Sequence, residues 1–116
     1  LPLVTTYADK RTELITCDSG MPIGVMEGVP FANLEVSIAP GQSFALYSDG
    51  ISEARNRKKD EFGVEELQKV MLENYKKTSQ EILDRSVEKV KQFAGKAEQH
   101  DDMTMIVVQV LAEPKA

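Results

Sequence analysis

The sequence predicts an α+β fold in which helices pack against an antiparallel sheet. Short apolar segments separated by Gly- and Pro-containing turns fill the first half of the chain, which is typical of strands. The second half has two stretches whose apolar residues recur three or four positions apart, as on one face of a helix. A segment rich in β-branched residues follows them. Strands, two helices and a closing strand in this order indicate helices layered on a sheet.

The first half of the chain predicts four strands. Residues 3–7 and 13–16 are β-prone and flank a short polar turn, which indicates a hairpin. Residues 34–38 alternate between apolar and polar side chains, the pattern of a strand with one buried face. A tight turn at Pro40-Gly41 follows. The segment 43–48 is continuously apolar in its middle, which predicts a central strand covered on both faces.

The second half predicts two amphipathic helices. The first begins after Gly63, and Phe62 is placed to pack onto Leu67 as a hydrophobic staple. The second begins at Thr78, and Glu81 three residues later gives the spacing of a capping box.

The end of the second helix and the last strand follow from glycine and β-branched residues. Gly95 is a natural helix stop. After a polar loop, residues 103–110 predict the last strand, and the tail from residue 112 is expected to fray.

Composition excludes several classes of protein. A chain of 116 residues suits one domain, and its net charge of −5 with no basic stripe argues against nucleic acid as the main partner. The longest apolar runs are too short to span a bilayer, so no membrane insertion is expected. Cys17 is the single cysteine, which fits a reducing, cytoplasmic compartment. Because the chain begins at Leu1 rather than methionine, we expect it to be a piece of a longer protein.

Acidic residues stand at the ends of two predicted strands. Asp49 follows one strand directly, with Gly50 allowing the chain to turn away, and Asp101 and Asp102 precede the last strand. If these strands are antiparallel neighbours, Asp49 and Asp101 meet at one edge of the sheet. Carboxylates held close together repel unless a cation neutralises them, and hard oxygen ligands suit Mg²⁺ or Mn²⁺. Asp-Gly at a strand end also commonly forms a simple turn, so this pattern alone leaves both readings open.

Four segments in order resemble the SpoIIE-type branch of the type 2C (PPM) protein phosphatases. They are GMPIG (20–24), FALYSDGISEARN (44–56), EFG (61–63) and QHDDMT (99–104). The resemblance covers essentially the whole chain. It implies that residues 1–116 are the C-terminal portion of one phosphatase domain whose complete fold is an α-β-β-α sandwich.

The resemblance also implies a site and a reaction. Asp49 and Asp101 would be ligands of a binuclear Mn²⁺ or Mg²⁺ centre, and metal-activated water would attack a phosphoserine or phosphothreonine directly. Asp102 would orient Asp101 or the metal-bound water, and Gly50 would lie behind the ligands or contact the substrate. His100 would hydrogen-bond the phosphate, donate a proton or, as we favour, order the Asp101 turn. Arg55, in a basic run that continues through residues 57–59, would contact substrate or simply be solvated.

One departure from the family pattern limits what this chain does alone. The family draws further aspartates and a glycine ligand from the first part of its domain, and nothing before Asp49 supplies them here. Asp9 falls in a turn and Asp18 in an unrelated loop. We therefore expect the chain to hold only part of the metal site and to be inactive or weakly active by itself.

Three functions are carried forward. The leading one is a protein serine/threonine phosphatase acting on a phosphorylated regulatory protein such as an anti-sigma-factor antagonist. The alternatives are a non-catalytic interaction module in a partner-switching signalling pathway and a different divalent-metal hydrolase. Because upstream strands would be missing, the fragment is also expected to self-associate through exposed apolar faces and strand edges.

Overall fold

A computed structural model describes residues 1–16, 35–99 and 101–111. In these ranges the chain forms an antiparallel sheet with helices packed on it, which confirms the predicted α+β class. The elements in chain order are β1 (Leu3–Thr6), β2 (Thr12–Ile15), β3 (Ser43–Tyr47), α1 (Asp49–Ser52), α2 (Val64–Glu73), α3 (Ser79–Ala94) and β4 (Met105–Gln109). The strand order across the sheet is β2-β1-β3-β4.

The predicted hairpin and the predicted central strand both form. β1 pairs antiparallel with β2, and β3 lies between β1 and β4, antiparallel to each. One part of the prediction for β3 is wrong, since only one face of this strand is fully covered. The side chains of Leu46, Ile106 and Val108 are 48%, 56% and 47% exposed on the other face. The reason is that the described helices pack on the opposite face, against Ala45 and Val107.

The strand predicted over residues 34–38 is absent from the described part of that segment, residues 35–38. Val36 and Ile38 are exposed there and pair with no strand. Alternating polarity shows that a segment is amphipathic, but a strand also needs a neighbour to accept its hydrogen bonds. Leu34, the loop at 20–24 and Cys17 lie outside the described residues. The turn at Pro40-Gly41 is confirmed, with Gly41 at φ 82°.

The core lies between the sheet and the helices, as the periodicity of both helices predicted. Its largest fully buried apolar side chains come from the helices and from β1: Ile51, Leu67, Met71, Ile82, Val4 and Val90. Phe62 and Leu67 both belong to this core, in agreement with the predicted staple. No helix in the described ranges is long and apolar enough to cross a lipid bilayer.

The predicted ends of α3 are confirmed. The Thr78 hydroxyl oxygen accepts a hydrogen bond from the backbone N–H of Glu81 at 3.2 Å, which satisfies one of the free donors of the first turn. The Thr78 hydroxyl in turn donates a hydrogen bond to the Glu81 carboxylate, also at 3.2 Å. In this contact the Glu81 carboxylate binds the side chain of Thr78 rather than its backbone N–H. Gly95 ends the helix at φ 59°, a conformation that favours glycine.

Candidate active site

Two strand ends meet at one edge of the sheet. β3 and β4 are adjacent and antiparallel, and Tyr47 at the end of one lies opposite Met105 at the start of the other. The pairing continues one residue beyond the strands, because the Ser48 N–H donates to the Thr104 carbonyl at 2.9 Å. Asp49 and the segment that carries Asp101 are therefore neighbours, as the sequence predicted. Both line one cavity of about 550 Å³.

Ser48 joins the two segments through its side chain as well. Its Oγ donates to the carbonyl oxygen of Asp102 at 3.1 Å and accepts from the N–H of Thr104 at 3.0 Å. Three hydrogen bonds thus tie this residue to the segment before β4. Because Ser48 immediately precedes Asp49, these bonds hold the backbones of both acidic residues in a fixed relation.

Gly50 allows this close approach. A Cβ atom at this position would clash with the carbonyl oxygen of Asp102, and it would lie 2.7 Å from that residue's carbonyl carbon and 3.2 Å from the carbonyl oxygen of Asp101. Carbon atoms in ordinary contact are about 3.5–4.0 Å apart. Any side chain larger than hydrogen at position 50 would therefore push the Asp101–Asp102 backbone away. Gly50, predicted to let the chain turn and to lie behind the metal ligands or contact the substrate, is a packing requirement of the site.

Local hydrogen bonds shape the loop that holds Asp101. The backbone N–H of Asp102 donates to Asp101 Oδ1 at 2.8 Å, and the Gln99 side-chain amide donates to the Asp101 carbonyl at 2.9 Å. The resemblance implied that Asp102 orients Asp101 or the metal-bound water, and in the structure the contact with the Asp101 carboxylate comes from the Asp102 backbone N–H. His100, proposed to order this turn, lies outside the described residues.

The rest of the cavity wall comes from α3 and from the segment after α1. Four carboxylates line the cavity, those of Asp49, Glu53, Glu98 and Asp101. Two cationic side chains, Arg55 and Lys91, line it as well. Arg55 is half exposed and forms an ion pair with Glu61 at 3.7 Å. The excess of carboxylates makes the cavity suited to a cation, and the two basic residues give it a wall that can meet an anionic group.

The acidic residues fit part of a divalent-metal site. Asp49 and Asp101 offer hard oxygen donors on one cavity, the ligand type that Mg²⁺ and Mn²⁺ prefer. The N–H of Asp102 occupies one lone pair of the Asp101 carboxylate and fixes its orientation, which is a usual feature of metal-ligating carboxylates. Across residues 1–16, 35–99 and 101–111, no group of three or more His, Cys, Asp or Glu side chains is arranged to hold a metal ion.

Sequence reasoning missed three contributors to this site, which are Ser48, Lys91 and Glu98. Ser48 was within the matched segment, and its position directly before Asp49 was a usable signal. Lys91 lies in the last turn of α3, far from Asp49 in sequence, and the packing of the helix brings it to the cavity.

Comparisons with known proteins identify the family and the fold of this chain. The family model described as Stage II sporulation protein E (SpoIIE) matches residues 1–111. Protein IcfG of Synechocystis sp. is 31% identical to the chain over 90 residues, which are 78% of this chain and 14% of IcfG.

Two solved structures share the fold. The SiaA-PP2C domain of Pseudomonas aeruginosa superposes with a TM-score of 0.71 at 21% identity, over 93% of this chain and 42% of that one. The phosphatase domain of the cell fate determinant SpoIIE from Bacillus subtilis (Mn presoaked) gives 0.73 at 17% identity, over 100% of this chain and 49% of that one. The chain thus spans less than half of either structure. It belongs to the SpoIIE family and has the fold of PP2C-type phosphatase domains.

Proposed function

We propose that the chain is the C-terminal portion of a metal-dependent serine/threonine phosphatase domain. One observation carries the proposal: Asp49 and Asp101, from distant segments, line one cavity and are tied together by the Ser48 hydrogen bonds and the close packing at Gly50. Membership of the SpoIIE family supports it. The activity and substrates of the whole protein are inferred from this site and this family.

In the proposed reaction Asp49 and Asp101 would hold Mn²⁺ or Mg²⁺ as part of a binuclear centre. A divalent ion, when bound, supplies a water of lowered pKa and neutralises charge on the phosphoryl group. The Asp102 N–H keeps the Asp101 carboxylate oriented, and Gly50 allows the backbone after Asp49 to lie against the Asp101–Asp102 backbone. Further ligands would come from outside the described residues.

We propose a small phosphorylated regulatory protein as the substrate, of the anti-sigma-factor antagonist type, in the cytoplasm. The family supports this choice, and the cavity is consistent with it, since it opens at a sheet edge beside exposed basic residues.

The decisive experiment compares the complete domain with this chain in a manganese-dependent assay on a phosphoserine peptide. We expect the complete domain to be active and the chain alone to be inactive or weakly active. Asp49→Asn and Asp101→Asn in the complete domain should each lower kcat/KM by more than about a hundredfold, since even residues behind metal ligands contribute ten- to a hundredfold. Both should also weaken Mn²⁺ binding in calorimetry.

A matched control is available at the opposite edge of the sheet. Asp9 lies in the turn between β1 and β2, is exposed, and lines neither the cavity nor its walls. Asp9→Asn should leave both activity and Mn²⁺ affinity unchanged. Normal activity in either the Asp49 or the Asp101 variant would show that the ligand assignment is wrong.

A second function, a non-catalytic interaction module, is favoured by one observation: among the described residues no three potential ligands cluster. This alternative predicts that the complete domain binds the phosphoprotein without turning it over, and that the full-length sequence has no Asp- and Gly-containing motif ahead of Leu1. Hydrolysis by the complete domain that is lost in both variants would exclude it.

A further inference from the structure

A rigid basic hairpin stands beside the cavity. It comprises residues 54–62, and its arms are joined where the N–H of Phe62 donates to the Ala54 carbonyl at 2.7 Å. At its tip, Asn56 Oδ1 accepts from the N–H groups of Lys58 and Asp60 at 2.9 and 3.0 Å. Lys59 takes a left-handed conformation at φ 66°. These bonds fix the turn, so its basic side chains are presented in a defined place.

The hairpin is anchored on α3. Phe62, at its base, is buried and meets the ring of Phe93 edge to face, with centroids 5.7 Å apart. This contact places the hairpin tip next to the C-terminal end of the helix.

A groove of about 370 Å³ lies between the hairpin and the end of α3. Its charged lining consists of Arg57, Lys58 and Lys96, together with the single carboxylate of Asp60. The groove shares the wall at Ala94 and Gly95 with the cavity that holds Asp49 and Asp101. An acidic cavity and a basic groove are therefore adjacent, on a chain whose net charge is −5.

Ion pairs within the described residues do not account for the three basic side chains that line the groove. None of Arg57, Lys58 and Lys96 forms an ion pair with another residue in the described ranges. Lys96 lies just beyond the C-terminus of α3, where a cation is favoured by the helix dipole. That explanation does not extend to Arg57 and Lys58, because they belong to the hairpin.

We propose that this basic groove binds acidic side chains that flank the phosphoserine of the protein substrate. The inference rests on the proposed phosphatase function and adds a substrate class to it. A phosphoserine in the acidic cavity would place its neighbours at the shared wall, since an extended peptide advances about 3.3–3.6 Å per residue. The groove would then contribute to substrate affinity and would discriminate against neutral or basic flanking sequences.

The test uses the complete domain and phosphoserine peptides of equal length that differ only in their flanks. Two peptides carry three Asp or Glu residues, before or after the phosphoserine, and the third carries Asn and Gln at those positions. We expect kcat/KM for one acidic peptide to exceed that of the neutral peptide by about threefold to tenfold, through KM, as for a few exposed ion pairs. The preference should shrink in about 0.5 M salt, since exposed charges are screened.

Substitutions in the groove test whether its basic side chains cause the preference for acidic peptides. Arg57→Gln combined with Lys58→Gln, and separately Lys96→Gln, should each move the acidic-to-neutral ratio toward one. The control is Lys10→Gln, an exposed lysine in the turn at the opposite edge of the sheet, which should keep the preference of the unmodified domain. Peptide affinities measured by fluorescence anisotropy in the Asp49→Asn background test the same preference without requiring turnover. The acidic peptide should bind more tightly than the neutral one, and the groove variants should reduce this difference.

The outcomes separate the two proposals. Equal hydrolysis and equal binding of acidic and neutral peptides would overturn the docking inference while leaving the phosphatase function standing. A preference that survives in both groove variants would overturn it as well. Absence of manganese-dependent hydrolysis of every peptide and of a small phosphate ester would instead overturn the proposed function, and the anisotropy series would still decide whether the groove binds acidic segments.

Discussion

Replacing Gly50 with alanine tests whether close packing holds the two acidic segments together. The added Cβ would lie 2.7 Å from the carbonyl carbon of Asp102, about 1 Å inside an ordinary carbon–carbon contact. The Asp101 loop must therefore retreat by about 1 Å. Gly50 lies in α1, where alanine would otherwise be favoured by up to about 1 kcal/mol. Overpacking typically costs about 1–3 kcal/mol, so we expect a net loss of about 1–2 kcal/mol of unfolding free energy.

The effect on the site should be larger than the effect on stability. A displacement of about 1 Å in a catalytic group can lower activity by about a hundredfold. In the complete domain, Gly50→Ala should therefore reduce kcat strongly and raise the Mn²⁺ concentration needed for half-maximal activity. Urea unfolding gives the stability, and calorimetry gives the Mn²⁺ affinity independently of turnover.

Gly63→Ala is a matched control. Gly63 has φ 81° and ψ 155°, a conformation that costs a residue with a side chain about 1–3 kcal/mol, yet nothing lies within 4 Å of its missing Cβ. This variant should lose comparable stability without a change in Mn²⁺ affinity. If Gly50→Ala kept its Mn²⁺ affinity and kcat within twofold of the parent, the packing argument would be refuted.

Three further predictions concern β3, the residue that follows it and the paired strand β4. Ser48→Ala removes two side-chain hydrogen bonds to the Asp102–Thr104 segment, so urea unfolding should show a loss of about 1–2 kcal/mol, which Ser48→Thr partly restores. Burial raises the pKa of Tyr47 above 10.0. The neutral Tyr47 side chain therefore contributes its full stabilisation below pH 10, and this contribution declines as pH rises through the higher pKa of the folded state. Tyr47→Phe should flatten that decline. The exposed apolar side chains of Leu46 and Ile106 should make the chain self-associate, and Leu46→Lys combined with Ile106→Glu should shift light scattering toward the monomer.

Each of these predictions has a contradicting result. Unchanged stability in Ser48→Ala would mean that the backbone pairing suffices to hold the segment. An identical dependence of stability on pH after Tyr47→Phe would assign the alkaline loss to other groups, of which Tyr7 is one, since its hydrogen bond to Glu13 also raises its pKa. A chain that is monomeric at high concentration before any substitution would show that the apolar face does not drive association.

The sequence predicted those parts of the fold that depend on local or single-face information. The apolar faces of α2 and α3 and the N-cap at Thr78 could be predicted, because helical periodicity and capping depend on a few residues that are close together in sequence. The strand predicted at 34–38 is absent over the described residues 35–38, because alternation of apolar and polar side chains carries no information about a pairing partner. The prediction that both faces of β3 are covered was wrong for a similar reason. An apolar residue such as Leu46 shows which side chain could be buried, but not which part of the protein would cover it.

The convergence of the acidic residues was predictable from topology, but the contacts that enforce it were not. Antiparallel neighbours bring the end of one strand to the start of the next, so Asp49 and Asp101 could be placed at one edge from strand order alone. The clash that excludes a Cβ at Gly50 and the arrival of Lys91 at the cavity depend on how α1 and α3 pack. Such distances arise from the assembled structure and have no signature in sequence spacing.

The exposed sheet face and the two acidic residues of the proposed site belong to the same pair of strands and its ends. β3 and β4 lead to Asp49 and Asp101 at one end and carry the exposed Leu46 and Ile106 on one face. The helices bury the other face, so the described core forms without using this surface. Leu46 and Ile106 are paired close to the strand ends that carry Asp49 and Asp101, so a polypeptide that covers them would lie near that end of the sheet. A covering segment that brings carboxylates of its own to that end of the sheet would supply the further ligands that the proposed metal site needs.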